Sequence, residues 1–186
     1  MREIADTNIL KTFCEHFCSI VDKYCKYIIV SGYVAIASGR SRGTEDIDMI
    51  IEHIPLETFR KLHEELLKEN FICVQDLEAE ELYKDYLEEK TSIRYHKKEQ
   101  YLPEMEIKFA KNPLDNYQIK TRQKIPFTQV DVWFSSIEMN IAFKEEYLKS
   151  EKDLEDAKHL RLIYKDQIDE EKISGIKLLI RKWKLN

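Results

Sequence analysis

Apolar positions along the chain follow two periods, one typical of helices and one typical of strands. Apolar side chains spaced by three and four residues predict amphipathic helices at about residues 5–26, 33–37, 55–69, 77–90, 136–149, 151–165 and 170–184. Short, mostly apolar runs predict strands at residues 27–30, 46–52, 71–74, 91–96, 105–109 and 130–134. The last three helices follow every predicted strand, so the helical and strand-rich parts of the chain are separated in sequence.

Strands and helices mixed in this order predict an α/β or α+β fold, with a mixed sheet flanked by helices and a helical C-terminal region. The length of 186 residues and the hydrophobic share of 43% suit one domain with a short extension. We therefore expect one domain over residues 1–134 and a helical extension over residues 135–186 that packs on it.

Composition and charge exclude several classes of protein. The net charge of −5 gives no overall signature of a nucleic-acid-binding protein. The N-terminus lacks the pattern of a secretory signal, and no apolar run approaches the roughly 18 residues of a membrane helix. Four cysteines in such a chain predict buried thiols rather than a disulfide framework or a zinc site. We expect a soluble, cytoplasmic protein with no membrane partner.

Two segments depart from this average charge. The predicted helix at 77–90 is strongly acidic, which is typical of a solvated face or of contact with a basic partner. The C-terminal tail carries the opposite charge and could pack through its apolar side or contact an RNA backbone. Its basic residues are Lys172, Lys177, Arg181, Lys182 and Lys184.

Two acidic residues open the second predicted strand. Asp46 and Asp48 are two positions apart, so strand alternation places both carboxylates on one face, about 7 Å apart. Ile47 and Met49 then point into the core. Carboxylates this close repel each other, and a hard divalent cation with oxygen ligands relieves the repulsion. This pair is therefore a candidate metal site.

The segment before these acids contains groups that suit a phosphate. Ser31 and Gly32 lie where a strand turns into a short helix, and glycine lets the backbone approach an anion closely. Arg40 and Arg42 could each donate two hydrogen bonds to phosphate oxygens. Thr44 could orient a neighbouring carboxylate.

Together these residues resemble the signature of nucleotidyltransferases of the DNA-polymerase-beta-like superfamily. The signature is a strand, a Gly-Gly or Gly-Ser turn, a short helix, Gly-x-x-Arg-x-Thr, and then Asp-h-Asp on the next strand. The chain is most similar to minimal nucleotidyltransferases related to abortive-infection toxins, although Ser31 stands where the family usually has glycine. The matching positions are Ser31, Gly32, Gly39, Arg42, Thr44, Asp46 and Asp48.

The resemblance extends to a third acid and to the helical region. Glu106 matches the family's third acid, usually Asp, while Glu104 and Asp131 are rival candidates. Alternation places Glu104 and Glu106 on one face. In the helical region Lys144 matches a lysine of the family, and it is either a phosphate contact or a surface lysine. The pair Asp153 and Asp156 matches a Lys/Arg-Asp-x-x-Asp pattern there.

The resemblance implies a catalytic domain at residues 1–134 that moves a nucleoside monophosphate from an NTP to a hydroxyl acceptor. Two Mg²⁺ ions, with Mn²⁺ as a substitute, would be held by Asp46, Asp48 and Glu106. The acceptor would be a tRNA end, a protein or a small molecule, and a toxin-type enzyme would have an antitoxin partner. The alternative is a weak or inactive nucleotide-binding or antitoxin-like protein. The resemblance also implies the residues that would bind the nucleotide: Ser31, Gly32, Arg42, Thr44 and Lys144.

Overall fold

The computed structural model describes residues 6–183. Its strands are β1 (Tyr27–Val30), β2 (Asp46–Ile51), β3 (Phe71–Cys73), β4 (Ile93–Lys97) and β5 (Gln100–Phe109). Its helices are α1 (Thr7–Val21), α2 (Gly32–Ala37), α3 (Leu56–Lys68), α4 (Ala79–Glu81, continued by π-helical turns over Leu82–Leu87), α5 (Pro113–Lys120), α6 (Ile137–Phe143, continued by π-helical turns over Lys144–Leu148), α7 (Glu151–Ile163) and α8 (Glu170–Lys182).

The five strands form one mixed sheet in the order β1-β2-β5-β4-β3. Only β2 and β5 run parallel, and the other three pairings are antiparallel. A parallel pair needs a long crossover connection, and here the crossover contains α3, β3, α4 and β4. The sheet with its flanking helices confirms the predicted fold class.

The two faces of the sheet differ in what covers them. One face is closed by α1, α3 and α4, with Phe17 of α1 beside Tyr95 of β4 and Tyr83 of α4 beside Phe109 of β5. On the other face, Ile119 of α5 packs on the β1–β2 end in a small separate apolar cluster. Much of the remainder of that second face carries polar and charged side chains.

The C-terminal helices pack on each other and on the loop after α2. The apolar stripe of α8 is buried at Ile173, Ile176 and Ile180, and the helix packs against α6. Helix α7 packs against α2 and α6, so it connects the helical region to the turn after β1. The three predicted helices are therefore present, while the domain division at residue 134 stays a prediction. The predicted ends at residues 5 and 184 lie outside the described residues.

The predicted strand at 130–134 is wrong. The amide of Val132 donates to the carbonyl of Val130 at 3.0 Å, which curls the backbone out of an extended ladder. Only Phe134 pairs, through single bridges to Ile29 and Gln123. The segment nevertheless covers the outer edge of β1, because the amide of Ile29 donates to the carbonyl of Trp133 at 2.8 Å.

Two further elements depart from the sequence pattern. Helix α5 was not predicted, although Asn112 caps it by accepting from the amides of Leu114 and Asp115, and Pro113 occupies its first turn. Strand β5 begins at Gln100 rather than at residue 105, because its first half pairs with β4 across a tight turn. Pro103 lies in that half, and a proline within an apolar run argues against a strand.

All four cysteines are buried free thiols, as the sequence predicts. Cys14 and Cys18 face each other with 3.9 Å between the sulfur atoms, inside the α1 core. Within residues 6–183 no helix combines the length and apolar character that crossing a membrane requires.

The packing of α8 gives a matched pair of substitutions. Ile176 is buried, whereas Leu178 on the same helix is 62% exposed. We expect Ile176→Ala to lower the free energy of unfolding by about 3 kcal/mol, through lost burial and a residual cavity. Leu178→Ala should change it by less than about 0.5 kcal/mol. Denaturant unfolding of both variants measures this, and equal losses would show that α8 is not packed as described.

Candidate nucleotide site

The parallel pairing of β2 and β5 brings four carboxylates onto one face of the sheet. Asp46 lies opposite Glu104, and Asp48 lies opposite Glu106. Alternation along each strand points all four side chains the same way, while Ile47 is buried on the opposite face. The sequence predicted each pair separately, and the strand pairing joins them into one group, here called the carboxylate face.

Asp48 is the carboxylate in the least favourable environment for its charge. Burial raises the pKa of its carboxyl, and the negative charges of Asp46 and Glu106 raise it further. Lys108 and a hydrogen bond from Ser31 act in the opposite direction. A cation beside Asp48 would relieve both the desolvation and the repulsion.

Glu106 is held by Arg94 of β4. The Nε and Nη2 atoms of Arg94 donate to one carboxylate oxygen of Glu106 at 3.1 and 2.8 Å. Although burial opposes ionisation, the bonds from Arg94 and Ser92 lower the pKa of Glu106. With Glu106 turned toward Arg94, residues 6–183 contain no group of three acidic, cysteine or histidine side chains close enough together to hold a metal ion. The carboxylate of Glu106 is directed to Arg94.

The rival acid Asp131 does not join the carboxylate face. Its side chain is 89% exposed and pairs with Lys124 at 2.8 Å. Its backbone amide donates to Glu15 of α1 at 2.9 Å. Glu104 does lie on the face, 3.9 Å from Arg94, so the choice of third acid is between two residues on β5.

The turn after β1 has an unusual backbone. Ser31 has φ 67° and ψ −140°, a conformation that favours glycine, and this is the position where the resembling family usually has glycine. The next residue, Gly32, begins α2. A Cβ atom on Gly32 would lie 2.8 Å from the Nη2 atom of Arg42, so only glycine allows the guanidinium to lie this close to the turn.

Asp156 of α7 collects three cations. The Nη1 atom of Arg42 and the Nζ atom of Lys144 each lie 2.9 Å from one of its oxygens. Arg40 pairs with the other oxygen and also with Glu155. Asp156 has no exposed surface, and Lys144 is 1% exposed. The three cations that the sequence suggested as phosphate ligands, Arg40, Arg42 and Lys144, therefore all contact one buried carboxylate.

Lys144 is a buried lysine rather than a surface one. Burial lowers the pKa of its ammonium group, and Asp153, 3.4 Å away, opposes that shift. Thr44 acts on the backbone: its hydroxyl donates to the carbonyl of Asp46 at 2.8 Å. It therefore fixes the start of β2, whereas the sequence predicted that it would orient a carboxylate side chain.

A cleft of about 340 Å³ opens beside Asp48. One wall comes from β5 and α5, including Lys108, Lys111 and Asp115, and the other wall comes from the α6 region, including Lys144. Val30 at the end of β1 and Ser31 of the turn line it as well. The cleft is large enough for part of a nucleotide.

Sequence reasoning missed two of the charged residues around this site. Lys108 follows Glu106 by two positions, so the alternation that paired Glu104 with Glu106 also placed Lys108 on that face. Arg94 lies opposite Glu106 on β4, and only the strand pairing reveals that proximity.

The basic tail is largely neutralised by neighbouring acids. Lys177 lies 2.6 Å from Glu145, and Arg181 lies 2.9 Å from Glu146. Lys172 lies 3.1 Å from Glu138. The fifth basic residue of the tail, Lys184, lies outside the described residues. The cations that suggested an RNA contact thus help to hold α8 to the α6 region.

No family model and no curated protein matches this sequence. Solved structures with a similar fold do exist. The structure of the antibiotic-resistance factor ANT(2'')-Ia aligns with this one with a TM-score of 0.56 at 14% identity, over 94% of this chain and 92% of that chain. An antigenic nucleotidyltransferase-like protein from Paracoccidioides brasiliensis aligns with a TM-score of 0.56 at 16% identity, over 97% of this chain and 91% of that one. The chain therefore has a nucleotidyltransferase-like fold.

Two substitutions separate the roles of the Ser31 backbone and hydroxyl. We expect Ser31→Gly to raise the free energy of unfolding by about 1 kcal/mol, because glycine adopts φ 67° without the steric cost of a Cβ atom. Ser31→Ala keeps the strain and loses the bond to Asp48, so it should lower that energy by about 1 kcal/mol. Denaturant unfolding of both variants tests this. Destabilisation by Ser31→Gly would mean that the hydroxyl outweighs the strain.

Proposed function

We propose that this protein is a magnesium-dependent nucleotidyltransferase that moves a nucleoside monophosphate from an NTP to a hydroxyl acceptor. The observation that carries the proposal is the register of β2 and β5, which sets Asp48 beside Glu106 on the carboxylate face. The turn with Ser31 and Gly32 and the cleft lie next to that face. The fold it shares with a nucleotidyltransferase-like protein supports the same conclusion.

The carboxylate face suits divalent cations. Oxygen ligands are the ligands that Mg²⁺ prefers. Burial and the charges of Asp46 and Glu106 raise the pKa of the partly buried Asp48 carboxyl, although Lys108 opposes the shift, so a cation beside Asp48 would be favourable. Asp46, Asp48 and Glu106 would hold two Mg²⁺ ions, with Mn²⁺ as a substitute. When bound, such ions neutralise triphosphate charge and ease ionisation of the acceptor hydroxyl.

The other residues would bind and orient the nucleotide. The guanidinium of Arg42 lies against Gly32 and is fixed by Asp156, so a phosphate that approached this turn would meet it there. Lys144 would add positive charge from the wall of the cleft. In the transfer, the acceptor oxygen forms a bond to the α-phosphorus, the bond to pyrophosphate breaks, and the hydroxyl proton is released. Catalysis would depend mostly on positioning and charge neutralisation.

For the acceptor, the structure favours a small molecule or a protein hydroxyl over RNA. A polyanion needs local positive surface, and three of the four tail cations in the described part of the chain pair with acids: Lys172, Lys177 and Arg181. One of the aligned structures is described as an antibiotic-resistance factor, which agrees with a small-molecule acceptor. The proposal has a second form, a toxin-type enzyme. Such an enzyme would modify a protein or a tRNA and would bind an antitoxin partner.

The direct test is to incubate the protein and Mg²⁺ with each labelled NTP and with total RNA, total protein or a small-molecule collection. Labelled acceptor together with pyrophosphate release is the expected result. NTP binding without pyrophosphate release for any acceptor would contradict the enzyme and favour an inactive nucleotide-binding protein. Two observations support that alternative. Ser31 stands where the resembling family usually has glycine, and the carboxylate of Glu106 is paired with Arg94.

We expect Asp46→Asn and Asp48→Asn each to lower the rate of pyrophosphate release by about 100-fold or more, because each replaces a charged, metal-binding carboxylate with a neutral amide. Neither should lower the free energy of unfolding, since each also removes carboxylate repulsion. Glu45→Gln is the matched control, an acid that precedes β2 and lies outside the carboxylate face. Steady-state rates with circular dichroism measure both effects, and full activity of either Asp variant would exclude the assignment.

Glu106→Gln and Glu104→Gln discriminate between the two candidate third acids. We expect Glu106→Gln to lose most activity and to bind Mn²⁺ more weakly, because Glu106 lies opposite Asp48. Glu104→Gln should change both quantities little. Electron paramagnetic resonance titration with Mn²⁺ gives the affinity independently of turnover. The reverse pattern would place the third ligand two residues upstream.

A further inference from the structure

A second cleft, here called the β3 cleft, lies at the edge of the sheet between α3, β3 and the start of α4. Its volume of about 510 Å³ is within the range that is typical of ligand pockets. Strands β5 and β4 separate β3 from β2, and no residue lines both this cleft and the one beside Asp48. The β3 cleft is therefore distinct from the nucleotide site.

His63 of α3 places a polar atom at the inner side of the β3 cleft. The residue is only 6% exposed, and its Nδ1 atom lies 2.7 Å from the hydroxyl oxygen of Tyr95 in the core. The other ring nitrogen, Nε2, forms no hydrogen bond within residues 6–183. In that part of the chain every fully buried side-chain nitrogen or oxygen has a partner, so Nε2 must retain accessible surface. Since His63 lines the β3 cleft, this is where Nε2 can meet a ligand.

A series of hydrogen bonds determines which ring nitrogen carries the proton. The side-chain oxygen of Gln75 accepts from the backbone amide of Arg94 at 3.1 Å and from the thiol of Cys73 at 3.4 Å. Because the thiol has a single proton, its sulfur accepts from the hydroxyl of Tyr95, with which it is hydrogen-bonded. The hydroxyl oxygen in turn accepts from Nδ1 of His63. In the neutral ring Nε2 is then unprotonated, an acceptor without a donor.

The surroundings of this acceptor are negatively charged. Burial lowers the pKa of His63, although nearby glutamates oppose the shift, so the ring is neutral at neutral pH. Glu64 and Asp76 line the cleft, and neither forms an ion pair with any residue in the range 6–183. Arg60, the basic residue of the lining, is paired with Glu57 at 2.6 Å. The cleft thus combines negative charge with a hydrogen-bond acceptor.

Of the simple ligand classes, an alkylammonium group fits this lining best. A metal ion does not, because the described part of the chain holds no cluster of three acidic, cysteine or histidine side chains, and burial raises the pKa of the Cys73 thiol. An anion would be repelled by Glu64 and Asp76. An ammonium group donates N–H bonds and carries the opposite charge. Its hydrocarbon chain could cover Leu67, an exposed apolar residue of the lining.

We propose that the β3 cleft binds a small aliphatic diamine or polyamine. One ammonium group donates a hydrogen bond to Nε2 of His63, and the positive charge of the ligand faces Glu64 and Asp76. This site goes beyond nucleotidyl transfer, and its ligand is bound without being transformed. Because its residues take no part in the proposed reaction, the site can be tested whether or not an acceptor is found.

Titration calorimetry with putrescine is the direct test, and butanediol, its uncharged counterpart of the same chain length, is the matched probe. We expect putrescine to bind and butanediol to bind far more weakly. Asp76→Asn and Glu64→Gln should each weaken putrescine binding about 3-fold, because each removes one exposed negative charge. Asparagine tolerates the positive φ of residue 76 as aspartate does, so the turn is retained. The control is Glu89→Gln, which removes an exposed acid of the same acidic segment that does not line the cleft.

Tyr95→Phe tests the role of His63. Without the hydroxyl, Nδ1 has no acceptor and the ring proton is free to move to Nε2, so putrescine binding should fall about 5-fold or more. Nitrogen-15 NMR of the neutral ring should show Nε2 unprotonated in the parent and should show its resonance shift when putrescine is added. A protonated Nε2 in the neutral ring of the parent would overturn the proposal. Circular dichroism identifies any variant that fails to fold, and the parent NMR result decides independently of the variants.

The calorimetric results can overturn the proposal in three further ways. No binding of putrescine, or equal binding of putrescine and butanediol, would exclude an ammonium site. Unchanged affinity in both Asp76→Asn and Glu64→Gln would place the ligand elsewhere. A loss in Glu89→Gln as large as theirs would indicate general attraction of cations to an acidic surface.

Discussion

Crowding of negative charge on one face of the sheet is the constraint to which the rest of the site responds. The parallel pairing of β2 and β5 sets two acidic pairs side by side, and Asp48 is partly buried. Such a group of carboxylates is costly unless positive charge or hydrogen-bond donors face it. Each neighbouring strand or turn supplies some: Arg94 from β4, Lys108 from β5 and the hydroxyl of Ser31 from the turn.

The opposite arrangement occurs a short distance away, where Asp156 is surrounded by positive charge. Removing one member of a buried, hydrogen-bonded charge group generally costs several kcal/mol, because the remaining charges stay buried. The contacts of Asp156 join α7 to the loop that follows α2, and through Arg42 they reach the turn at Gly32. The helical region thus determines where the cations of the loop lie, although none of it belongs to the sheet.

The sequence predicts those features that depend on near neighbours in the chain. Asp46 and Asp48 share a face by alternation, and the turn at Gly32 lies within one strand-turn-helix unit. The contacts of Asp156 with Arg40 and Arg42 span 116 and 114 residues, and no periodic pattern encodes them. Lys108 shows a different limit of sequence analysis. Strand alternation already placed it on the same face as Glu106, but a single lysine does not indicate which group it will face. The segment at 130–134 misled because apolar composition does not reveal a curled backbone.

The π-helical turns after α6 have a consequence for how this chain tolerates length changes. A π-helical turn contains one more residue than an α-helical turn, so the side chains along it are displaced around the helix axis. Here the turns begin at Lys144, which faces Asp156, and they end at Leu148 on the rim of the cleft. Deleting one residue among 145–148 would restore α-helical winding and turn the rim residues away. Relatives of this protein should therefore vary in the residue types of this segment more readily than in its length.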